Sequence, residues 1–309
     1  MNRSVWLNRF AIALAICVCP LVFVGAGVTS KGAGMAFPDW PTSNGHLVNP
    51  PGWLRVDHQL WEHSHRLLGW TVGLLAIATL MLSWREQRAR EFLRDFSARR
   101  SLVGWALATL VAICIQGVLG GLRVRMVSTP LALVHGVWGQ VCLSLAVLLA
   151  VLSAPGWSAG NDRCANESSI VPPRLGLATV AMILLQLIAG AVLRHTGHGL
   201  AWHLVGALSV ACMIGWVSTW VLSDPASRPV IRHLARALGV LVLLQLMLGI
   251  GAYVVTSVRG PTGARLDWLL PSVHVLVGAL LLALSSATTS GLYASQRDRS
   301  ATKLEAVTA

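Results

Sequence analysis

Long apolar runs separated by short polar stretches dominate the chain. Crossing the roughly 30 Å hydrocarbon core of a bilayer takes about 20 apolar residues in a helix. Eight runs reach that length: 9–29, 62–83, 102–122, 131–152, 174–193, 202–222, 236–256 and 270–291. The longest break, 30–61, carries Pro38, Pro41, Pro50 and Pro51 and reads as a structured loop or cap, because proline interrupts helices. Residues 292–309 are polar and read as an unstructured tail. The pattern predicts an all-α integral membrane protein with eight transmembrane helices.

Composition supports this and removes other classes. Of 309 residues, 55% are apolar and 12% charged, against about 25% charged in a soluble domain. That excludes a soluble enzyme, a disordered chain and a disulfide-stapled secreted domain. The 13 tryptophans, beside 5 Phe and 2 Tyr, favour the aromatic that sits at bilayer interfaces. A net charge of +12 raises the question of nucleic acid. The charges lie between apolar runs and not along one stripe, so no nucleic-acid partner is expected. Placing the N-terminus in the cytoplasm puts 16 of the 24 Lys and Arg residues on the cytoplasmic side and 8 outside. This bias sets both termini inside a bacterial-type cytoplasmic membrane. Arg3 and Arg9 ahead of the first run also resemble a signal peptide, but no clear A-x-A site follows, and the fifth run has similar flanks.

The two halves of the chain repeat each other. Gly25-Ala26-Gly27 at the end of the first run corresponds to Gly190 at the end of the fifth. His65-Arg66-Leu67-Leu68-Gly69 corresponds to His203-Leu204-Val205-Gly206. Gln116 and Gln245 open the glycine stretches of the third and seventh runs, and His135-Gly136-Val137-Trp138-Gly139 corresponds to His274-Val275-Leu276-Val277-Gly278. Both halves start inside, so this is a parallel repeat about an axis along the membrane normal. It predicts two pseudo-symmetric four-helix bundles: 1–153, a cytoplasmic linker 154–173, 174–291, and the cytoplasmic tail 292–309.

Four of the ten histidines, His65, His135, His203 and His274, open the even-numbered runs. They therefore share one depth near the outer surface. Two imidazoles facing across a four-helix bundle match the bis-axial coordination of a heme iron. Intramembrane ionisable groups cost about 2.5–3.5 kcal/mol on insertion scales, which argues for function in a matched quartet. The glycine three or four positions after each histidine (Gly69, Gly139, Gly206, Gly278) is expected to leave room for a flat macrocycle. A closed zinc site fits poorly, since the ligands stand one per helix with no cysteine beside them. His46, His58, His63, His195, His198 and His233 read as interface or solvated residues, His195 and His198 also as heme-propionate contacts. His63 is about 200° from His65 around a helix.

Glu62 stands three residues before His65 and so shares its helix face, with no counterpart in the other half. Two readings stay open: a chemical task such as proton transfer or stabilisation of developing positive charge, or a salt bridge to Arg66 or Arg55. Arg66, Arg123, Arg125 and Arg194 are candidates for heme propionates, because guanidinium pairs well with carboxylate. Five of the six cysteines, Cys17, Cys19, Cys114, Cys142 and Cys212, lie in spans and Cys164 in the linker, so no disulfide is available on the outer face.

These residues bear a resemblance to a known family. Glu62-His63-Ser64-His65-Arg66 fits the E-x-x-H-R signature of the heme A synthase family, and Pro38-Asp39-Trp40-Pro41 with Asn44-Gly45 resembles its D-W-P loop. Leu133-Val134-His135-Gly136 and Trp202-His203-Leu204-Val205-Gly206 fit as well. The resemblance implies oxidation of the C8 methyl group of heme O to the formyl group of heme A, an oxidoreductase step in making the cytochrome oxidase cofactor. It implies substrate heme at His65 and His135, Glu62 as the catalytic carboxylate, and a heme b redox cofactor at His203 and His274. It implies an electron donor or acceptor and makes hand-over from a heme O synthase reasonable; a homo-oligomer stays open. One departure stands out. Phe37 and Ser43 occupy the positions where many members carry a cysteine pair, so no thiol chemistry is expected there. The rival readings are a bis-histidine heme electron carrier, such as a quinol-linked cytochrome, which explains the quartet but not a single Glu62, and a repeat-built transporter, which places its polar groups at mid-membrane.

Overall fold

The computed structural model describes residues 3–92, 100–155, 157, 171–224 and 227–308. Among them are eight α-helices: α1 (Arg3–Ser30), α2 (Asp57–Phe92), α3 (Arg100–Arg125), α4 (Thr129–Leu152), α5 (Pro173–Thr196), α6 (Leu200–Ser223), α7 (Pro229–Tyr253) and α8 (Arg265–Thr308). Each is long and apolar enough to cross a membrane. All eight expected spans are present. Their ends run past the apolar stretches because backbone hydrogen bonding continues where hydropathy stops. The clearest case is 292–309: α8 continues to Thr308, so the tail is helical where composition suggested an unstructured end. Within the linker, Arg163 and Cys164 lie outside the described residues.

Local chemistry sets the turns between helices. The Ser128 hydroxyl caps α4 by accepting the Leu131 N–H at 3.3 Å, meeting one of the donors a helix start leaves open. Gly197, at φ 73°, ends α5 in the left-handed conformation and donates its N–H to Leu193, a glycine-favoured stop. Pro173 and Pro229 each stand at the first position of a helix, where no N–H is needed. The resulting turns, 126–128 and 197–199, are short and force their flanking helices antiparallel.

Packing closes α1–α4 into one ring and α5–α8 into another. The rings join mainly along α4–α8 and α1–α8, with α4–α5 adding a smaller contact. Small residues allow that close approach: Ala146, Ala279 and Ala283 are fully buried there beside Leu14, Val18, Val72 and Leu143. Ser144 Oγ donates to Ser286 Oγ across the seam at 2.9 Å. The outward faces are apolar, with Leu74, Leu185, Leu208 and Val240 each about two-thirds exposed, as a lipid-solvated surface requires. All four quartet histidines lie toward the end of the molecule that carries residues 31–56, hereafter the loop end.

Candidate functional site

The helix repeat brings the histidines together in pairs. His65 (α2) faces His135 (α4) with ring centres 6.2 Å apart, and His203 (α6) faces His274 (α8) at 6.3 Å. A metal bound to two imidazole nitrogens at about 2 Å each places the ring centres roughly 6 Å apart. Among the described residues no group of three or more His, Cys, Asp and Glu is arranged to hold a metal. The pairs therefore suit an ion that brings its remaining ligands with it, as a porphyrin iron does. The Nδ1 of His135 lies 3.2 Å from the Gln116 carbonyl oxygen. A carbonyl only accepts, so Nδ1 carries the proton and Nε2 is left bare, the form a metal ligand needs.

Each imidazole rests on a glycine of the helix before it. A methyl group at Gly25, Gly120, Gly190 or Gly249 would stand 2.7, 2.9, 2.9 and 3.0 Å from Cε1 of His65, His135, His203 and His274 respectively. The same contact at four places, in both halves, is the repeat expressed in atoms. Gly190→Ala is expected to push the His203 ring out of line with that of His274 and to lower thermal stability in detergent. Gly215→Ala, where a methyl group meets nothing within 4 Å, is expected to leave it unchanged.

Three glutamines complete the frame, and their role escaped the sequence reading. Gln116, Gln186 and Gln245 each precede the supporting glycine by four residues, a Q-x-x-x-G pattern repeated in α3, α5 and α7. The Gln116 and Gln186 amides donate to the backbone carbonyls of His135 and His203 at 3.0 and 2.9 Å. The amide nitrogens of Gln116 and Gln245 also lie 3.4 Å from Nε2 of His135 and of His274, and that of Gln186 lies 3.0 Å from Nδ1 of His203. This corrects the expected use of Gly139, Gly206 and Gly278. The room they leave is filled by these glutamine side chains, 2.1–3.2 Å from where a methyl group would stand, and not by a macrocycle.

At the N-terminal pair a folded loop covers the loop end. Glu62 is 3% exposed. One oxygen pairs with Arg66 and the other accepts the N–H groups of Ala36 (2.6 Å) and Phe37 (3.2 Å). Of the two partners the sequence offered, Arg66 makes the salt bridge. Its guanidinium also donates to the carbonyls of Asp39 (2.7 Å), Thr42 and Phe37 (3.4 Å). Trp40 fills the gap beside Gly121 of α3, and Arg123 donates to the Gly34 carbonyl at 3.1 Å. The D-W-P segment thus has a physical reading: Trp40 anchors the loop on α3, while Asp39 ties its turn. The Asp39 carboxylate accepts from the Thr42 hydroxyl and from the N–H groups of Asn44 (2.7 Å) and Gly45 (2.9 Å). Desolvation opposes its charge, but these hydrogen bonds outweigh it and lower the pKa to about 2. A carboxyl depressed on folding stabilises above its unfolded pKa of about 3.9 and loses that contribution as pH falls through the folded value. Proteolytic nicking of residues 31–56 is therefore expected to rise between pH 4 and 2, and Asp39→Asn is expected to remove this pH step.

His63 corrects a second expectation. It is 1% exposed, not solvated. Its Nε2 donates to the Val48 carbonyl at 2.8 Å and its Nδ1 accepts from the Ser43 hydroxyl at 2.9 Å. Phe37 and Trp53 pack on its ring. Phe37 and Ser43, the residues at the cysteine-pair positions, thus both close the loop through His63. The five cysteines among the described residues are free. His46, His58, His198 and His233 are exposed, as expected, and His195 is half-buried.

Residues 55–204 match the model of a family described as cytochrome oxidase assembly protein. Three relatives are each named heme A synthase. One from Allorhizobium ampelinum is 31% identical over 152 residues, covering 45% of this chain and 38% of the relative. One from Listeria monocytogenes is 29% identical over 155 residues (50% and 46%), and one from Hyphomonas neptunium 24% identical over 230 residues (63% and 60%). The chain thus spans less than two thirds of the length of these relatives. The family segment contains Glu62, His65, Arg66, Arg123, Arg125, His135, Arg194 and His203; His274 lies beyond it.

The four arginines differ in setting. Arg66 is committed to the loop and Glu62, and Arg125 is exposed. Arg123 and Arg194 are half-buried. Arg194 reaches across the seam from α5 to α1, donating to the Ala26 carbonyl at 2.8 Å and to the Ser30 hydroxyl at 2.7 Å.

Proposed function

We propose that this chain oxidises the C8 methyl group of heme O to the formyl group of heme A, with substrate heme between His65 and His135 and a heme b between His203 and His274. One observation carries the reading. Two histidine pairs share a frame, yet among the described residues only one is roofed by a loop and has a buried carboxylate beside it. A frame used twice for one purpose would not need that difference.

Bound heme b supplies one-electron redox chemistry. The protein's own residues do the rest. Glu62, fixed by Arg66 and two backbone N–H groups, is a preplaced anion beside the substrate pair. It takes up a proton, or stabilises positive charge, as the methyl carbon passes to the alcohol and then to a gem-diol that loses water; each hydroxylation takes its oxygen either from water, with two electrons passed to an external acceptor, or from dioxygen, with two electrons drawn from an external donor. The loop over 31–56 excludes water from that end. Arg123 and Arg194, half-buried at the loop end, are the arginines best placed for propionates; Arg66 has its donors on the loop and Arg125 is exposed. The prenylated substrate enters from lipid between the apolar outer faces, handed over by a heme O synthase. The charge bias orients the loop end outward, with both termini in the cytoplasm of a bacterial-type cell.

A bis-histidine electron carrier accounts for the two pairs but gives Glu62 and the loop no task. Paired variants test the assignment. In membranes supplied with both hemes, His65→Ala/His135→Ala is expected to lose heme O and keep heme b, and His203→Ala/His274→Ala to do the reverse. Loss of heme b from both variants alike, with no heme O bound by either, would favour the carrier.

A further inference from the structure

Gln140 breaks the repeat. It stands on α4 five residues after His135, whereas the residue five after His274 is Ala279, fully buried in the seam. Gln140 is itself 6% exposed, and a buried polar side chain inside a membrane calls for a use. Its amide nitrogen donates to the Gly136 carbonyl of its own helix at 3.4 Å, while its amide oxygen has no hydrogen-bond partner. That oxygen lies across the seam. It is 3.8 Å from where a methyl group on Gly278 of α8 would stand, and the Gln245 amide nitrogen is 3.2 Å from the same point. A side chain of the first half thus reaches the frame of the second pair.

The two amides that meet a histidine Nε2 differ in what else they hold. Gln116 also donates to the His135 carbonyl at 3.0 Å. Gln245 meets His274 Nε2 at 3.4 Å and no other acceptor among the described residues. His274 rests on Gly249 as His135 rests on Gly120, with Cε1, Nδ1 and Nε2 at nearly the same distances, so Nε2 is the ligating nitrogen of both. One nitrogen lone pair serves a metal or an N–H, not both. Metal binding at His274 therefore frees the Gln245 amide, and a buried donor without an acceptor is costly.

We infer that Gln140 is a positioning residue for the C-terminal pair, supplied by the N-terminal half: its amide oxygen takes the Gln245 N–H when His274 Nε2 binds iron. The bond exists only in the loaded site, so it favours a group that stays. It also ties that site to α4, the helix that carries His135. The inference rests on the proposed heme b site and adds the residue from the other bundle that completes it.

Heme loss to excess apomyoglobin reads this without turnover. The His65→Ala/His135→Ala variant confines heme b to the C-terminal pair. In that background Gln140→Leu is expected to speed heme loss about tenfold, the low end of what an outer partner of a metal ligand contributes. Gln140→Met, which keeps the length of the side chain, is expected to match it. Gln245→Leu removes the donor instead, and where it is already present Gln140→Leu is expected to change the rate by about twofold or less. Thermal unfolding separates this role from packing. Without heme, Gln140→Leu is expected to leave the midpoint unchanged or raise it, since a buried oxygen with no partner is removed; with heme, it is expected to lower it. An unchanged rate in both Gln140 variants, a full tenfold effect in the Gln245→Leu background, or a lowered midpoint in both forms overturns the inference while leaving the heme site intact. Folded protein of the His65→Ala/His135→Ala background that holds no heme b overturns the proposed function itself.

Discussion

Replacing Glu62 by glutamine is expected to lower heme A formation by about 10²–10⁴-fold, the range a positioned acid–base group contributes, with both hemes still bound. The substitution suits the question because glutamine keeps the size of the side chain. Its amide oxygen can still accept from Ala36 and Phe37, whose N–H groups lie 2.6 and 3.2 Å from the native carboxylate. What goes is the charge, and with it the capacity to take a proton or offset positive charge on the substrate. Heme content and the spectrum of the His65–His135 site report whether the pocket survives; extracted heme reports the chemistry. Full conversion by the variant would reduce Glu62 to an anchor for the loop.

The second large effect is on stability. Arg66→Ala is expected to destabilise the protein by about 3–5 kcal/mol, since removing one partner of a buried pair strands the other charge. The pair is well buried: the side chains of Arg66 and Glu62 are 10% and 4% exposed. Three loop carbonyls lose their donor as well. Thermal unfolding in detergent measures the loss. The double variant Glu62→Gln/Arg66→Ala is expected to be less destabilised than the sum of the single changes, because the stranded charge is gone. Strict additivity would mean that the two side chains do not act as a pair.

The separation of these two effects explains what the sequence could and could not reveal. The spans were legible because about 20 apolar residues in a row have few other uses, and the histidine quartet because such groups are costly in a membrane. The pairing of His65 with His135 and of His203 with His274 followed from the repeat. Gln116 and Gln245 mark the repeat in the sequence, but their contact with the histidines does not show there, and Gln186 does not stand out at all. Gln186 in Leu184-Leu185-Gln186-Leu187 reads as one polar residue in an apolar helix, and only the register shared with Gln116 and Gln245 marks it. His63 was misjudged for a different reason. Helical geometry places it away from His65, but its burial depends on the loop 37–53 folding over that face, a contact that no local pattern encodes. The glycines after each histidine were seen as free space because the side chain filling it comes from another helix. For α8 the error was one of boundary, since hydropathy falls at 291 while the helix continues to Thr308.

The central claim is chemical conversion of one heme by a protein that holds another. The most direct measurement is extraction and mass analysis of heme from a host lacking heme A that makes this protein together with a heme O synthase, against an empty-vector control. The account predicts heme A, or its hydroxylated precursor, only where the protein is present. Folded protein carrying heme b, supplied with a competent electron partner and leaving heme O unchanged, would contradict it.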